Sequence, residues 1–359
     1  MSQKAETSFI YATEFYSRRD FADCVIALDT CIREDETFYR AYVTLAAVHD
    51  EMGNTNASIG TYRAILDRWP NDSRAHAELG RLLYREKDWV PAQSQLELAV
   101  ATDPYNKRAF VLLGSTYENV GRYGHAERCY KEALALDKYD YDAWFQLGSV
   151  QFQLANYEHA AQSFEHFIVG HPNDPRALKN IGRCFSKMSR NDDAASWFLK
   201  AIEAKPDYTS ARFDYAVCLT DQGKMAEAIV EYNAVLAIDP DYENAHFNLA
   251  TIYLKLDQLD DSSRHLQETL RLTPDNAHAR NLFGLVAYKK HDLYVAVTEF
   301  KTAIAIDPEY AKAHVNLAMA LKDLSDIPEA IDHLKIALGL RPGDDNIKAL
   351  LANVQRVNA

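Results

Sequence analysis

The sequence predicts an all-α fold, a solenoid of about ten helix-turn-helix units closed by a C-terminal capping helix. Three observations predict it. Pro70, Pro104, Pro172, Pro206, Pro240, Pro274, Pro308 and Pro342 are separated by 34 residues or twice 34, and the one empty slot holds Lys138. Small residues recur with the same period at two further places, and no segment carries a strand pattern. A fixed period of this length with helical patterning means stacked helical hairpins, which make surfaces rather than catalytic pockets.

We number each unit so that its proline is position 32. The units then begin at residues 5, 39, 73, 107, 141, 175, 209, 243, 277 and 311. In the first helix, position 8 is Ala12, Ala46, Gly80, Gly114, Gly148, Gly182, Ala216, Ala250, Gly284 and Ala318. Position 7 is apolar or aromatic throughout, from Tyr11 and Leu45 to Phe283 and Leu317. Positions 4, 7, 8 and 11 share one face of that helix. In the second helix, position 20 is small in every unit, from Cys24 and Ser58 to Ala296 and Ala330, and position 24 is large, from Leu28 and Tyr62 to Phe300 and Leu334. Small residues at 8 and 20 let the two helices approach, and the large residue at 24 fills the volume beside them. The proline ends the second helix, where its missing N–H costs nothing. Asp103, Asp239 and Asp307 precede it and supply the turn with an acceptor.

The middle of the chain departs from this pattern. Lys138 stands in a proline slot, Phe167 replaces a small residue at position 27, and Gly170 precedes His171 and Pro172. A bulky ring where two helices close is expected to alter the packing around the fifth and sixth units. After residue 344, Lys348, Leu351 and Ala352 fall at positions 4, 7 and 8 of an eleventh first helix. Asp344 or Asp345 is placed to cap it, and Asn346, Asn353 and Arg356 form its outer face. The expected division is therefore residues 1–344 as ten tandem units and 345–359 as the cap.

Residues 107–140 carry the pattern most fully, with Phe110, Leu113, Gly114, Tyr117, Gly121, Tyr123, Ala126, Tyr130 and Ala133. This resembles the tetratricopeptide repeat, and the resemblance runs over residues 5–344 in one register without insertions. It implies a right-handed superhelix whose first helices line a concave groove for a peptide or a partner helix. It says little about activity, since fold and function separate in such families.

The rest of the composition agrees. Hydrophobic residues are 48% of the chain, and no run approaches ~18 apolar residues, so membrane insertion is not expected. Residues Met1 to Glu6 lack the apolar core of a secretory signal. The five cysteines include Cys24 and Cys31 at core positions 20 and 27, and Cys184 and Cys218 at position 10 of adjacent units. They read as packing residues in a reducing cytoplasm. The sequence carries no phosphate-binding Gly-rich loop, no Gly-x-Ser-x-Gly, no His-Glu-x-x-His and no Cys-x-x-Cys. His76, His246 and His314 share position 4, a packing site, and His159 and His166 share a helix face without a third ligand. No catalytic residue, metal or cofactor is expected.

The informative residues are those the core does not need. Positions 2, 5, 6, 9, 12 and 13 of the first helices should face the groove. There Arg40, Arg74, Arg81, Arg85, Arg108, Arg176, Lys179, Arg183, Lys187, Lys255, Lys289, Lys312 and Lys322 stand against Glu6, Asp50, Glu51, Glu78, Glu118, Asp142, Asp214, Asp221 and Asp323. The groove sums to +4 in a chain of −13, leaving −17 elsewhere. Net acidity argues against nucleic acid, and the sorting argues for a partner with acidic segments. Arg176, Lys179, Arg183 and Lys187 form one stripe on one helix. It reads either as an anchor for carboxylates or as a solvated face paired with Asp142, Asp214 or Asp221.

Asn180, Asn248 and Asn316 occupy position 6, and Asn281 sits one place earlier in the ninth unit. An amide can clamp a peptide backbone without reading its sequence. This looks like the asparagine ladder of some members of the family, and it is interrupted by Asp214 and Leu282. The carboxylate clamp of chaperone-binding members is not matched, because Lys179 is accompanied by Arg183 and followed by Asp214. Phe145, Phe152, Phe213 and Phe247 add apolar anchors.

The expectation is a cytoplasmic, non-catalytic scaffold or adaptor. It would hold an extended or helical segment of another protein at Arg176, Lys179, Asn180, Arg183, Lys187, Phe213, Phe247, Asn248, Asn281 and Asn316, with Arg74, Arg81 and Arg85 as a second basic turn. The alternative is the substrate-recruiting array of a larger enzyme such as a protein glycosyltransferase. Self-association is a third reading.

Overall fold

The computed structural model describes residues 2–357, and the regular structure among them is helical. The chain divides into two compact units, Met1–Ser189 and Arg190–Ala359. The first holds α1 (Gln3–Ser17), α2 (Phe21–Glu34), α3 (Tyr39–Glu51), α4 (Thr55–Arg68), α5 (Ser73–Arg85), α6 (Trp89–Thr102), α7 (Lys107–Asn119), α8 (Tyr123–Leu136), α9 (Tyr141–Gln153), α10 (Tyr157–Gly170) and α11 (Pro175–Lys187). The second holds α12 (Asn191–Ala204), α13 (Thr209–Asp221), α14 (Met225–Ile238), α15 (Glu243–Lys255), α16 (Leu259–Leu272), α17 (Ala277–Lys289), α18 (Leu293–Ile306), α19 (Ala311–Asp323), α20 (Ile327–Leu340) and α21 (Asp345–Val357). Within each unit consecutive helices pack on one another, from α1 on α2 to α10 on α11 in the first and from α12 on α13 to α20 on α21 in the second.

The contact between positions 8 and 24 sets the hairpin. A Cβ at Gly114 would lie 2.8 Å from the Tyr130 ring, and one at Gly284 would lie 2.7 Å from the Phe300 ring. Leu96 likewise faces Gly80, whereas Leu28, Leu266 and Leu334 face Ala12, Ala250 and Ala318, buried with them. The two positions share one volume, as close packing requires.

Two structural features were not read from the pattern. Position 15, the residue that ends each first helix, is left-handed in all ten repeats. Gly53, Gly121 and Gly223 serve three of them, while Arg19, Lys87, Ala155, Ser189, Asp257, His291 and Ser325 adopt φ between 58° and 66°. The conformation is held by paired backbone bonds. In the second repeat, Gly53 N donates to Asp50 O and Asn54 N to His49 O, the Schellman geometry that closes a helix. Tertiary packing here overrides a preference of about 1 kcal/mol against side chains.

The second feature is the buried face. Position 3 is alanine from Ala41 to Ala313 and sits against the preceding second helix, and position 10 is buried with it at Val48, Leu82, Val150, Cys184, Ile252 and Val286. The same two positions are the buried ones in the last helix. In α21 the buried residues are Ile347 and Val354, at positions 3 and 10, whereas Lys348 and Ala352 are exposed and Leu351 is half-buried. Positions 4 and 8 would receive a second helix of the same repeat, and among the described residues none packs there. Asp344 caps α21, its Oδ1 accepting from Asn346 N at 3.0 Å and Ile347 N at 3.3 Å. Residues 358–359 of the expected cap lie outside the described residues.

The aspartates before proline act as expected. Asp103, Asp239 and Asp307 Oδ1 accept from the backbone N–H two residues on, at 3.1, 3.2 and 3.1 Å. Asp137 does the same for Tyr139 at 3.1 Å. The turn without proline is held from outside as well. Lys107 Nζ lies 2.9 Å from both Asp137 and Asp140, and Trp144 Nε1 donates to Lys138 O at 3.0 Å. Phe167 is buried, edge-on to Phe145 at 5.0 Å and stacked on His171 at 4.6 Å. Gly170 has its reason beside it, since a Cβ there would lie 2.3 Å from the Tyr141 ring. All five cysteines are free and buried, as their core positions predict.

Candidate functional site

Adjacent first helices within a unit join side by side through residues about one repeat apart. Tyr16 bonds Glu51, Arg85 reaches Asp50 at 2.5 Å, and Asn119 donates to Tyr84 at 3.4 Å, each pair 35 residues apart. Asn316 to Asn281 at 2.8 Å and Tyr288 to Asp323 at 2.5 Å repeat the spacing in the second unit. A second spacing, of 31, puts a guanidinium on a ring. Arg40 lies over Phe9 at 5.3 Å, Arg176 over Phe145 at 5.3 Å and Arg183 over Phe152 at 4.8 Å. Positions predicted to face a groove therefore also build the fold.

These contacts divide the candidate residues. Arg81 is taken up by Asp50 and Glu78, both at 2.6 Å, and Arg85 by Asp50 and by Thr55 at 3.0 Å. Burial alone would raise the Asp50 carboxyl, but hydrogen bonds from Arg81 and Arg85 outweigh it and hold the group below its ordinary range. Arg74 is exposed beside them. The basic turn at Arg81 and Arg85 is thus an internal ion-pair network.

The stripe on α11 differs. Asp174 caps the helix, accepting from Arg176 N at 2.9 Å and Ala177 N at 3.1 Å, and binds the Arg176 side chain at 2.8 Å. Burial would raise the Asp174 carboxyl, and the Arg176 bonds reverse this. Arg176 and Arg183 lie over the two rings of α9, seven residues apart on both helices. Phe145 is seated edge-on to Phe164 and Phe167, and Phe152 to Tyr157. Each guanidinium is therefore placed by a ring that is itself packed on a further ring. Lys187 is exposed one turn beyond, and Lys179 and Asn180 are half-buried between.

The asparagines behave otherwise. Asn281 is 2% exposed, so it does not line an accessible groove. Its Nδ2 donates to Tyr310 at 3.3 Å, and its Oδ1 accepts from Asn316. Asn248 donates to Tyr232 at 3.0 Å. These amides close the seams between helices with bonds that are costly to leave unmade in a buried site. Phe213 packs on Tyr232 at 5.7 Å and Tyr242 at 5.1 Å, and Phe247 lies against the cluster around Leu254 and Leu266. Both are half-buried. They lie in the second unit.

The remaining histidines have clear places. His166 stacks on Trp144 at 4.2 Å, and with His159, Lys131, Gln151 and Ser163 it lines a cavity of about 400 Å³ on the second-helix side. Gln151 is a buried polar residue at position 11, satisfied by Ser163 at 2.7 Å and Glu127 at 3.3 Å. Among the described residues, no cluster of three His, Cys, Asp or Glu could hold a metal ion. No helix there is long and apolar enough to cross a membrane.

Comparison with known proteins adds the family. The crystal structure of MamA is 24% identical, covering 47% of this chain and 92% of that one, with a TM-score of 0.45. The structure of YrrB, titled a TPR protein with an unusual peptide-binding site, is 22% identical over 51% of this chain and 95% of that one, at a TM-score of 0.44. Pseudomonas aeruginosa pilF is 19% identical over 56% and 92%, at 0.47. No curated protein matches the sequence. A tetratricopeptide-repeat model matches residues 219–284 and 288–354. A second model, described as the cilia and flagella-associated protein 70 C-terminal domain, matches residues 18–247. With more than half its length so matched, the chain belongs to the family of the cilia and flagella-associated protein 70 C-terminal domain, and its fold is that of the tetratricopeptide repeat.

Proposed function

We propose that the chain is a non-catalytic protein-binding scaffold that takes an acidic segment of its partner on the α11 face. The observation that carries this is the pair of ring-backed guanidiniums. Arg176 and Arg183 rest on Phe145 and Phe152, with Lys179 between and Lys187 beyond. Cations at spacings of three and four present one charged stripe, to which a partner carboxylate can add a charge-assisted hydrogen bond. Two fixed rings supply apolar burial beside the charge, the combination that anchors interfaces. Arg81 and Arg85 are left out of the site because they are consumed internally.

The family's name ties its members to cilia and flagella, and we place the partner among proteins of those organelles. The test is affinity capture from a ciliated-cell extract, read by mass spectrometry, with the unaltered chain and with Arg183→Glu/Lys187→Glu. Partners lost with the reversal and regained at neither low nor high salt support the site. An unchanged set of partners, held with unchanged salt dependence, overturns it.

A further inference from the structure

In six repeats the carbonyl at position 32 accepts a bond from the side chain at position 4 of the next first helix. Trp144, Arg212 and Arg280 do so with an indole or guanidinium N–H. His76, His246 and His314 do so with Nε2, at 2.9 Å from Pro70 O, 3.0 Å from Pro240 O and 3.1 Å from Pro308 O. A carbonyl oxygen only accepts, so each of these Nε2 atoms carries a hydrogen. The Nδ1 atoms turn inward to position 23 of the same repeat. In the first unit His76 Nδ1 meets Gln95 Oε1 at 2.8 Å. In the second unit His246 Nδ1 meets His265 Nδ1, and His314 Nδ1 meets His333 Nδ1, both at 2.9 Å.

The two kinds of pair respond differently to a proton. A neutral His246 with its hydrogen on Nε2 offers Nδ1 as acceptor, so His265 donates from Nδ1 and leaves its own Nε2 bare. One proton can enter. His246 then donates through Nδ1, and His265 carries its hydrogen on Nε2 instead. A second proton would set two N–H groups head to head at 2.9 Å. The Gln95 amide has no such limit. Turned one way it donates to neutral His76, and turned the other it accepts from the imidazolium.

We propose that the two histidine pairs make the second unit an acid-sensitive clasp, in which each folded pair holds at most one proton and the repeat must open to take two. Few charges near the pairs relieve this. On α16, Asp261, Arg264 and Glu268 act on His265, and the Tyr253 ring stacks on it at 5.6 Å. On the packed helices, Glu231 of α14 is held by Arg212, Arg280 of α17 by Glu299 of α18, Lys289 of α17 by Asp257, and His278 of α17 stacks on Tyr310. Glu227 of α14 is the other acid there. Around His333 the groups are Glu329 on its own helix, at 3.7 Å from Nε2, and Lys301 of α18, which binds Glu329 at 2.7 Å. Asp323 of α19 goes to Tyr288, Lys312 and Lys322 of α19 lie on its exposed or half-buried side, and Asp345 of α21 takes Lys348. Glu329 favours a hydrogen on His333 Nε2.

Burial, then His246 and Arg264, push His265 down to about 4, and burial with His314 lowers His333. In the unfolded chain both histidines of a pair charge near pH 6.5. The unfolded state thus binds more protons, so stability is full above about pH 6.5 and falls as the pH drops towards 4. One missing proton per pair raises the opening constant about 10-fold per pH unit, or about 100-fold for both pairs, once the unfolded histidines are charged.

The test uses the full chain and its His265→Gln/His333→Gln variant, which rebuilds the His–Gln pairing of the first unit. Amide hydrogen exchange in α15, α16, α19 and α20, corrected for intrinsic rates, is followed from pH 7.5 to 5. The unaltered chain should lose protection about 10-fold per pair and pH unit faster than the variant, and parallel loss overturns the proposal. Nitrogen-15 NMR of the unaltered chain supplies a second reading that needs no variant. It should show hydrogen on Nε2 of His246 and His314 and on Nδ1 of His265 and His333 at pH 7.5. Four imidazolium rings at these sites in a chain still folded at pH 5.5 would also overturn it.

Discussion

In the first unit, neighbouring first helices are joined by charge. Asp50 takes Arg81 and Arg85, and guanidiniums lie over Phe9, Phe145 and Phe152. In the second unit amides take a larger part, beside a Tyr288–Asp323 bond that matches Tyr16–Glu51 of the first. Asn316 bonds Asn281, Asn281 bonds Tyr310 and Asn248 bonds Tyr232, with the Lys289–Asp257 pair at the rim. The clasp between positions 4 and 23 changes as well, from His76–Gln95 in one unit to two His–His pairs and the ion pairs Arg212–Glu231 and Arg280–Glu299 in the other. The helices and the small-against-large packing are the same in both. The repeat therefore separates two kinds of residue. Positions 3, 8, 10, 20 and 24 answer to packing, while positions 4, 5, 6, 9, 12 and 23 need only complete their polar contacts, and many chemistries do that. On α11 the solution is ionic and backed by rings. Where it is amide to amide, the donors are spent.

The largest test of this separation is a matched core truncation. Tyr130 and Tyr232 are fully buried at position 24 of the fourth and seventh repeats. Tyr130→Ala and Tyr232→Ala should each cost about 3–5 kcal/mol in chemical unfolding at neutral pH. Costs that differ by more than half between the units would show that the cores are not equivalent.

Charge reversal sharpens the contrast in function. Arg183→Glu/Lys187→Glu should weaken binding of the captured partner by about 1–3 kcal/mol, more at low salt, and leave the melting temperature in place. Lys289→Glu in the second unit should leave that affinity alone, because Lys289 is spent on Asp257. Equal losses from both would make the effect one of overall charge.

Two glycines make a finer comparison. Gly170→Ala drives a Cβ into the Tyr141 ring and should destabilise the first unit by about 1–3 kcal/mol. Gly339 in α20 has nothing within 4 Å of such a Cβ, and Gly339→Ala should stabilise the second unit by about 0.5–1 kcal/mol. Thermal unfolding of both variants decides whether glycine at 170 is there for the turn or for the ring.

For the first unit the smallest expected effect is that of mild acid. The Asp50 carboxyl is held below its ordinary value, so its contribution is complete above about pH 4 and is lost as the pH falls through its lowered folded value. Hydrogen exchange at pH 5 should therefore find the helices around Asp50 as protected as at pH 7. Asp50→Asn should remove their loss of protection below pH 4. A first unit that loosens between pH 6.5 and 5 would break the comparison.

The periodic prolines, the small residues at 8 and 20 and the large one at 24 disclosed the helices and their pairing from the sequence alone, because close packing leaves each of those positions one size of residue. The α11 stripe was legible too, since spacing along one helix places its residues on one face. The left-handed residue at position 15 was not legible, because only three of ten repeats mark it with glycine and the helix-end bonds impose it on the rest. Nor was the inward turn of Asn281 or the commitment of Arg81 and Arg85. A side chain's partner about 35 residues away depends on how two helices meet, and a period of 34 does not say whether an Asp, an Asn or a ring will stand within reach. Local sequence determined the elements and their faces. The tertiary structure decided which polar groups on those faces were consumed in closing the stack and which were left to meet another molecule.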